Sequence, residues 1–207
     1  FAKASSNLGD YFKLSKSVKG ATFDAIASSL PELLVALFAV IFFKKFEVGI
    51  GTIAGSALFN LLVIPGICVL VAPVVFKVHK HVISRDALYY VISVFVLLVT
   101  VLYFKVWGLI ISLIFILGYV AYLKTIFRHT KVDRNNVKTK KINFWKEVSI
   151  VAITLILIGG VTYFLTESSI ELAEILNISP IIIAFTITAA ATSIPDAVIS
   201  FVNAKKG

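Results

Sequence analysis

Leu14 to Leu34 reads LSKSVKGATFDAIASSLPELL, and Ile178 to Val198 reads ISPIIIAFTITAAATSIPDAV. The two stretches align without a gap at an offset of 164. Ser15 meets Ser179, Thr22 meets Thr186, Ala25 meets Ala189, Ala27 meets Ala191, Ser29 meets Ser193 and Pro31 meets Pro195. Ser28 is matched by Thr192 and Glu32 by Asp196. Unrelated apolar helices share Leu, Ile and Val by chance, but not a hydroxyl-hydroxyl-x-Pro-carboxylate cluster in one register. The flanks agree: the amphipathic start at 1–14 answers the Glu-rich helix end at 165–178.

The surrounding chain is a membrane protein by composition. It is 59% hydrophobic and 15% charged, with mean hydropathy +0.98, against about 25% charged in ordinary globular domains. Apolar stretches near 18–43, 48–76, 86–104, 106–127, 144–166 and 179–204 are each about the 20 residues needed to cross a bilayer as a helix. Pro65 and Pro73 are expected to kink or end the second of them. Five crossings separate the two copies. That odd number turns the second copy upside down relative to the first, the architecture of secondary transporters. A channel normally builds its pore by rotational symmetry.

Basic residues set the orientation. Alternate loops collect sixteen Lys or Arg on one side and three on the other, Lys44, Lys45 and Lys105. The positive-inside rule puts the basic stretch at 129–143 in the cytoplasm and Glu167, Glu171 and Glu174 near the outer surface. An integral protein of the plasma membrane is the expectation, with the lipid bilayer and transported cations as partners. The net charge of +9 lies in loops, not in a basic stripe interleaved with aromatics, so no nucleic acid is expected. Cys68 is the single cysteine, which excludes a disulfide framework. His79 and His81 sit in a basic loop and read as solvated. No nucleophile–base pair or phosphate loop points to an enzyme or an organic cofactor.

The repeated cluster has a chemistry. A proline inside an apolar helix removes a backbone donor and frees carbonyls of the preceding turn, which is tolerated in a membrane only beside protein or a water cavity. At Ser28-Ser29-Leu30-Pro31-Glu32 the freed carbonyls meet two hydroxyls and a carboxylate. Thr192, Ser193, Pro195 and Asp196 repeat the arrangement. All-oxygen surroundings suit hard cations such as Ca²⁺ and Na⁺. Glu32 lies about fourteen residues into its helix and Asp196 about seventeen into its own, near the bilayer centre at roughly 1.5 Å per residue. Two carboxylates there repel unless a cation or a proton intervenes. Asp24, Ser28 and Glu32 share a helix face, as do Thr188, Thr192 and Asp196; the two stripes read as half-pathways to one site. Asp24 is a candidate proton or pathway group, or else a helix-end acid paired with Lys16 or Lys19. In the next helix Gly51 and Gly55 permit close approach, and Ser56 and Asn60 stand one turn apart.

SSLPEL followed by GTIAGSALFN resembles the first alpha-repeat of the cation/Ca²⁺ exchanger superfamily, and TSIPDAVISFVNAKKG resembles the start of the second. The IPD form is most similar to sodium/calcium exchangers, including the potassium-dependent branch. The resemblance implies an all-α polytopic inverted-repeat transporter of five plus five helices, this chain running as a fragment from the end of helix 1 into helix 7. It divides into a first repeat at 1–128, the loop at 129–143 and the start of the second repeat at 144–207. The resemblance further implies cation ligands at Ser28, Ser29, Glu32, Ser56 and Asn60, with Thr192, Ser193 and Asp196 from the second repeat. Backbone carbonyls of Ala25 and Ala189 join them. Remaining C-terminal helices are expected to complete the site, with a G-x-x-x-G-S-like pattern from near residue 215. Ala27 and Ala191 replace the family's usual Gly, Ala57 stands where an amide often follows, and Asp24 is an extra acid. The implied function is Na⁺/Ca²⁺ antiport by alternating access, with Ca²⁺ and Na⁺ as transported ions. H⁺/Ca²⁺ exchange is the alternative.

Overall fold

The computed structural model describes residues 1–12, 14, 16–73, 80–104, 108–129 and 143–206. Most of the 129–143 loop, His79, Lys13 and Lys105 lie outside them. The first helix, α1, spans Ala2–Tyr11. The second, α2, is broken: Gly20–Ser28 and Leu30–Ile41 meet at a bend of 55°. Then follow α3 (Phe46–Val71), α4 (Lys80–Val99), α5 (Leu109–His129), α6 (Phe144–Ile175) and α7 (Pro180–Lys205). Among the described residues, four helices are long and apolar enough to cross a membrane, five with the broken pair. The apolar part of α4, Ala87–Val99, is shorter.

Proline acts differently at each position. Pro31 falls in the first turn of Leu30–Ile41, where a missing N–H costs nothing. The break is therefore at Ser29, with φ −91° and ψ 7°. Pro195 instead sits inside an unbroken helix, so the second copy is not interrupted as its sequence suggests. Pro65 does not end α3 either. A π-turn at Phe59–Val63 immediately precedes it, and that wider turn takes up the disruption of the hydrogen-bond ladder. Pro73 does mark the end: Ala72 before it is extended, at φ −72° and ψ 132°, as a residue preceding proline prefers.

The helix α6 has 32 residues, not the 144–166 that hydropathy suggests. Its side-chain cap is Asn143, which accepts from the Lys146 amide at 3.3 Å. Charged Glu167, Glu171 and Glu174 end the apolar window but are good helix formers, so the backbone continues. At 1.5 Å per residue the helix is about 48 Å long, more than the roughly 30 Å hydrocarbon layer, and the excess is the Glu-bearing end beyond the apolar window.

The core is small. Val35 and Ala39 of α2, Val48 of α3, Ile170 of α6 and Ala184 of α7 form one buried cluster. In lipid there is no hydrophobic drive to join helices, so small residues must let backbones approach. Gly55 does this most closely: a Cβ there would collide with the Phe185 carbonyl oxygen and stand 2.7 Å from Ala189 Cβ. Outer faces carry exposed Ile53, Leu62, Leu70, Leu109, Ile156 and many like them, the surface expected of a helix bundle in lipid.

Candidate functional site

The contact between α2, α3 and α7 gathers the polar residues. Glu32 is in the first turn of its segment and is only 6% exposed. Ser56 Oγ of α3 donates to Glu32 Oε1 at 2.9 Å. Ser193 Oγ of α7 lies 2.7 Å from Ser56 Oγ and 3.5 Å from Glu32 Oε1. A hydroxyl has one proton to give. With the proton of Ser56 spent on Glu32, Ser193 is the donor in the Ser–Ser contact. A two-hydroxyl relay thus ends on one carboxylate oxygen. The other, Oε2, is buried and has no hydrogen-bond partner among the described residues. A buried carboxylate oxygen without a partner is costly, and the atom is open to a cation or a proton.

Asp196 lies one turn beyond Thr192 and is half-buried. It faces a cavity of about 540 Å³ shared with Asp24, Ser28, Thr192, Lys3 and Ser6. Ser28 Oγ donates to the Ala25 carbonyl at 3.1 Å, and Thr192 Oγ1 to the Ala189 carbonyl at 3.0 Å. Those four residues are repeat mates at the offset of 164, and so are their hydrogen bonds. The inner ends match too. A π-turn occupies Gly20–Asp24 in α2 and Ala184–Thr188 in α7. Thr22 bonds the Val18 carbonyl as Thr186 bonds that of Ile182.

Other repeat mates diverge. Ser29 is exposed at the bend, whereas Ser193 is fully buried in the relay. Asp24 lines the cavity, whereas Thr188 is fully buried and 2.7 Å from Ser169 Oγ. The second half-pathway read from Thr188, Thr192 and Asp196 is therefore closed at Thr188. The pairing of Asp24 with Lys19 is not formed, because Lys19 Nζ binds Asp10 Oδ1 at 2.7 Å; the Lys16 side chain lies outside the described residues. Asn60 is exposed on the π-turn of α3, and no hydrogen bond among the described residues uses its side chain. Among the described residues no three His, Cys, Asp or Glu groups converge, so the oxygens of the cluster are two carboxylates with hydroxyls and carbonyls.

Sequence reasoning overlooked Ser5 and Ser169. Both are buried and both reach a π-turn, Ser5 Oγ donating to the Phe23 carbonyl at 3.2 Å. Their numbers differ by 164, so extending the repeat alignment upstream would have found them. Tyr119 of α5 was also missed; its hydroxyl donates to the Ala21 carbonyl at 3.0 Å.

Apolar crossing helices, one of them broken, with a buried carboxylate and hydroxyls at matched repeat positions define an all-α polytopic membrane protein of the transporter class. The chain belongs to the sodium/calcium exchanger protein family, which it matches over residues 1–128 and 146–207. That family consists of exchangers, not enzymes. Human sodium/potassium/calcium exchanger 3 is 44% identical over 112 residues, 53% of this chain and 17% of that protein. Human sodium/potassium/calcium exchanger 4 is 49% identical over 86 residues, 42% of this chain and 14% of that protein. An uncharacterized membrane protein of Methanocaldococcus jannaschii is 27% identical over 209 residues, 100% of this chain and 67% of that protein. The chain thus spans less than a fifth of the length of the human relatives. A solved structure of the sodium-calcium exchanger NCX_Mj, soaked with Na⁺ and Sr²⁺, superposes with a TM-score of 0.61 at 24% identity. The match covers 100% of this chain and 66% of that one, and at this identity the likeness concerns the fold.

Proposed function

We propose that the protein is a secondary antiporter exchanging Na⁺ for Ca²⁺ across the plasma membrane by alternating access. The observation that carries this is the buried Oε2 of Glu32, without a hydrogen-bond partner among the described residues and beside a hydroxyl relay, with Asp196 on the wall of the cavity that Pro31 also lines. A pair of carboxylates in a low-dielectric interior is stable only when a cation or proton compensates it. Such a site exchanges one ion for another and resists being emptied, which is the requirement for an antiporter.

In this reading Glu32, Asp196, Ser56 and Ser193 supply central oxygens, with Ser28, Thr192 and the carbonyls of Ala25 and Ala189 around them. Ser29 and Asn60 join in another state of the cycle, since both are exposed in this one. The ions are substrates, and no organic cofactor takes part. Residues 1–128 and 144–207 belong to two inverted halves, joined by a cytoplasmic loop at 129–143. The resemblance of the chain to proteins named sodium/potassium/calcium exchangers supports Na⁺ as the driving ion. H⁺/Ca²⁺ exchange is a second reading, favoured by the extra acid Asp24 on the cavity wall. Ca²⁺ uptake into sealed vesicles carrying the full-length protein, with Na⁺, K⁺ and pH gradients imposed one at a time, separates them. Uptake driven by pH alone, with none driven by Na⁺, would sink the Na⁺ reading.

A further inference from the structure

Both ion-facing helices enter the site through a π-turn, and the two turns occupy equivalent positions of the repeat, Gly20–Asp24 and Ala184–Thr188. A π-turn holds an extra residue compared with an α-turn. At 3.6 residues per turn, one residue corresponds to about 100° of rotation about the helix axis. Conversion of either π-turn to regular α-helix would therefore swing the next rung by roughly that angle relative to the turn before it. That rung is Ala25–Ser28 in α2 and Ala189–Thr192 in α7, where the hydroxyl-to-carbonyl bonds are made.

Something must hold each wide turn open. In α7, Thr188 Oγ1 reaches the Ile183 carbonyl at 3.4 Å, a span of five residues. The same oxygen is 2.7 Å from Ser169 Oγ of α6; Ser169 gives its one proton to the Leu165 carbonyl at 2.6 Å, so Thr188 donates across to Ser169 and the longer approach to Ile183 only competes for that proton. Thr188 is 0% exposed and Ser169 5%, so neither hydroxyl has water as an alternative partner. In α2, the repeat mate Ser5, 7% exposed, donates from α1 to the Phe23 carbonyl inside the turn. Two serines at the offset of 164, on two flanking helices, thus reach equivalent π-turns.

We propose that Ser5 and Ser169 are positioning residues that pin the π-turns and so fix the angular setting of the ion-facing rungs. This rests on the binding role given above to those rungs. The first consequence is local. Losing the Ser169 hydroxyl removes the tie from α6 and returns the Thr188 proton to the Ile183 carbonyl of its own helix; losing that of Ser5 removes the tie from α1 to the Phe23 carbonyl, and either turn is then free to relax. The second consequence is at the site, where the rung is no longer held at one angle and cation binding weakens.

The test uses the full-length protein in detergent, with Ser5→Ala and Ser169→Ala, and with Ser169→Thr restoring a hydroxyl. Backbone hydrogen exchange over Gly20–Asp24 and Ala184–Thr188 is read alongside equilibrium ⁴⁵Ca²⁺ binding and thermal unfolding. Each alanine variant is expected to exchange faster in its own π-turn and to bind Ca²⁺ about three- to tenfold more weakly, the range for one interhelical hydrogen bond in a membrane protein. Ser169→Thr is expected to recover both. A role in folding alone would lower the unfolding temperature and leave Ca²⁺ affinity unmoved in the folded fraction. Unchanged exchange in the π-turns, or wild-type affinity in both alanine variants, overturns the proposal. A wild-type protein that binds no Ca²⁺ overturns the proposed ion instead, and the exchange measurement still decides whether the serines pin the turns.

Discussion

Substituting Gly55 by alanine tests whether the approach of α3 to α7 builds the site. The added Cβ would collide with the Phe185 carbonyl oxygen, which is backbone of the α7 π-turn, and would stand 2.7 Å from Ala189 Cβ where 3.4 Å is ordinary contact. The Ala189 contact alone asks for about 0.7 Å of separation to reach ordinary contact, and the nearer Phe185 carbonyl oxygen asks for more. Neither obstacle is a flexible side-chain end, so rotamer changes cannot absorb it. Overpacking of this kind costs roughly 1–3 kcal/mol. Alanine's better helix propensity returns at most about 1 kcal/mol, so the net effect is destabilising. The same separation would lengthen the 2.7 Å contact between Ser56, next to Gly55, and Ser193. Gly159→Ala and Gly160→Ala in α6 are the controls, because a Cβ at either meets nothing within 4 Å; there the propensity gain stands alone. The assay is thermal unfolding in detergent followed by size exclusion, with Ca²⁺ binding on the folded fraction. Gly55→Ala is expected to unfold several degrees lower and to bind Ca²⁺ more weakly, while the α6 variants match or exceed wild type. A Gly55→Ala protein as stable and as tightly binding as wild type would refute the packing argument.

Glu32→Gln and Asp196→Asn should each abolish Ca²⁺ uptake while the protein still folds, since an amide keeps the shape and removes the anionic oxygen a divalent ion requires; full uptake in both would refute the site. Asp24→Asn should raise the half-saturating Ca²⁺ concentration by roughly two- to fivefold, more at low than at high ionic strength, as loss of a fixed charge from a cavity wall does. An unchanged half-saturation would return Asp24 to a purely structural role. Neutralising the Asp10–Lys19 pair with Asp10→Asn should cost less than about 1 kcal/mol, because Asp10 is 42% exposed and exposed pairs contribute little; a loss of several kcal/mol in unfolding would show a larger role.

Periodicity and the repeat pointed to most of the polar cluster that α2, α3 and α7 gather. A hydroxyl pair, a proline and a carboxylate at one register, twice, were sufficient to single out Glu32, Asp196 and their neighbours, because the residue types carry the chemistry. Gly51, Gly55 and Ser56 were readable for the same reason: a small-residue spacing serves only close helix contact. The apolar stretches likewise marked the crossing helices, since nothing else accounts for about 20 uncharged residues in succession. Helix ends were less readable. The helix α6 runs past its apolar window to Ile175, because glutamates that end a hydropathy signal do not end a helix.

The tertiary structure decided how two similar segments came to differ. Pro31 and Pro195 occupy the same repeat position, yet one helix bends by 55° beside its proline and the other runs through. Ser29 is left exposed at the bend, while its mate Ser193 is buried against Ser56 and Glu32. Asp24 faces a cavity, while its mate Thr188 is held by Ser169. Local sequence specifies which groups are available for bonding and where the backbone lacks a donor. Which group is buried, paired or left open depends on the helix that packs alongside, and α6 beside α7 offers different partners from α1 beside α2.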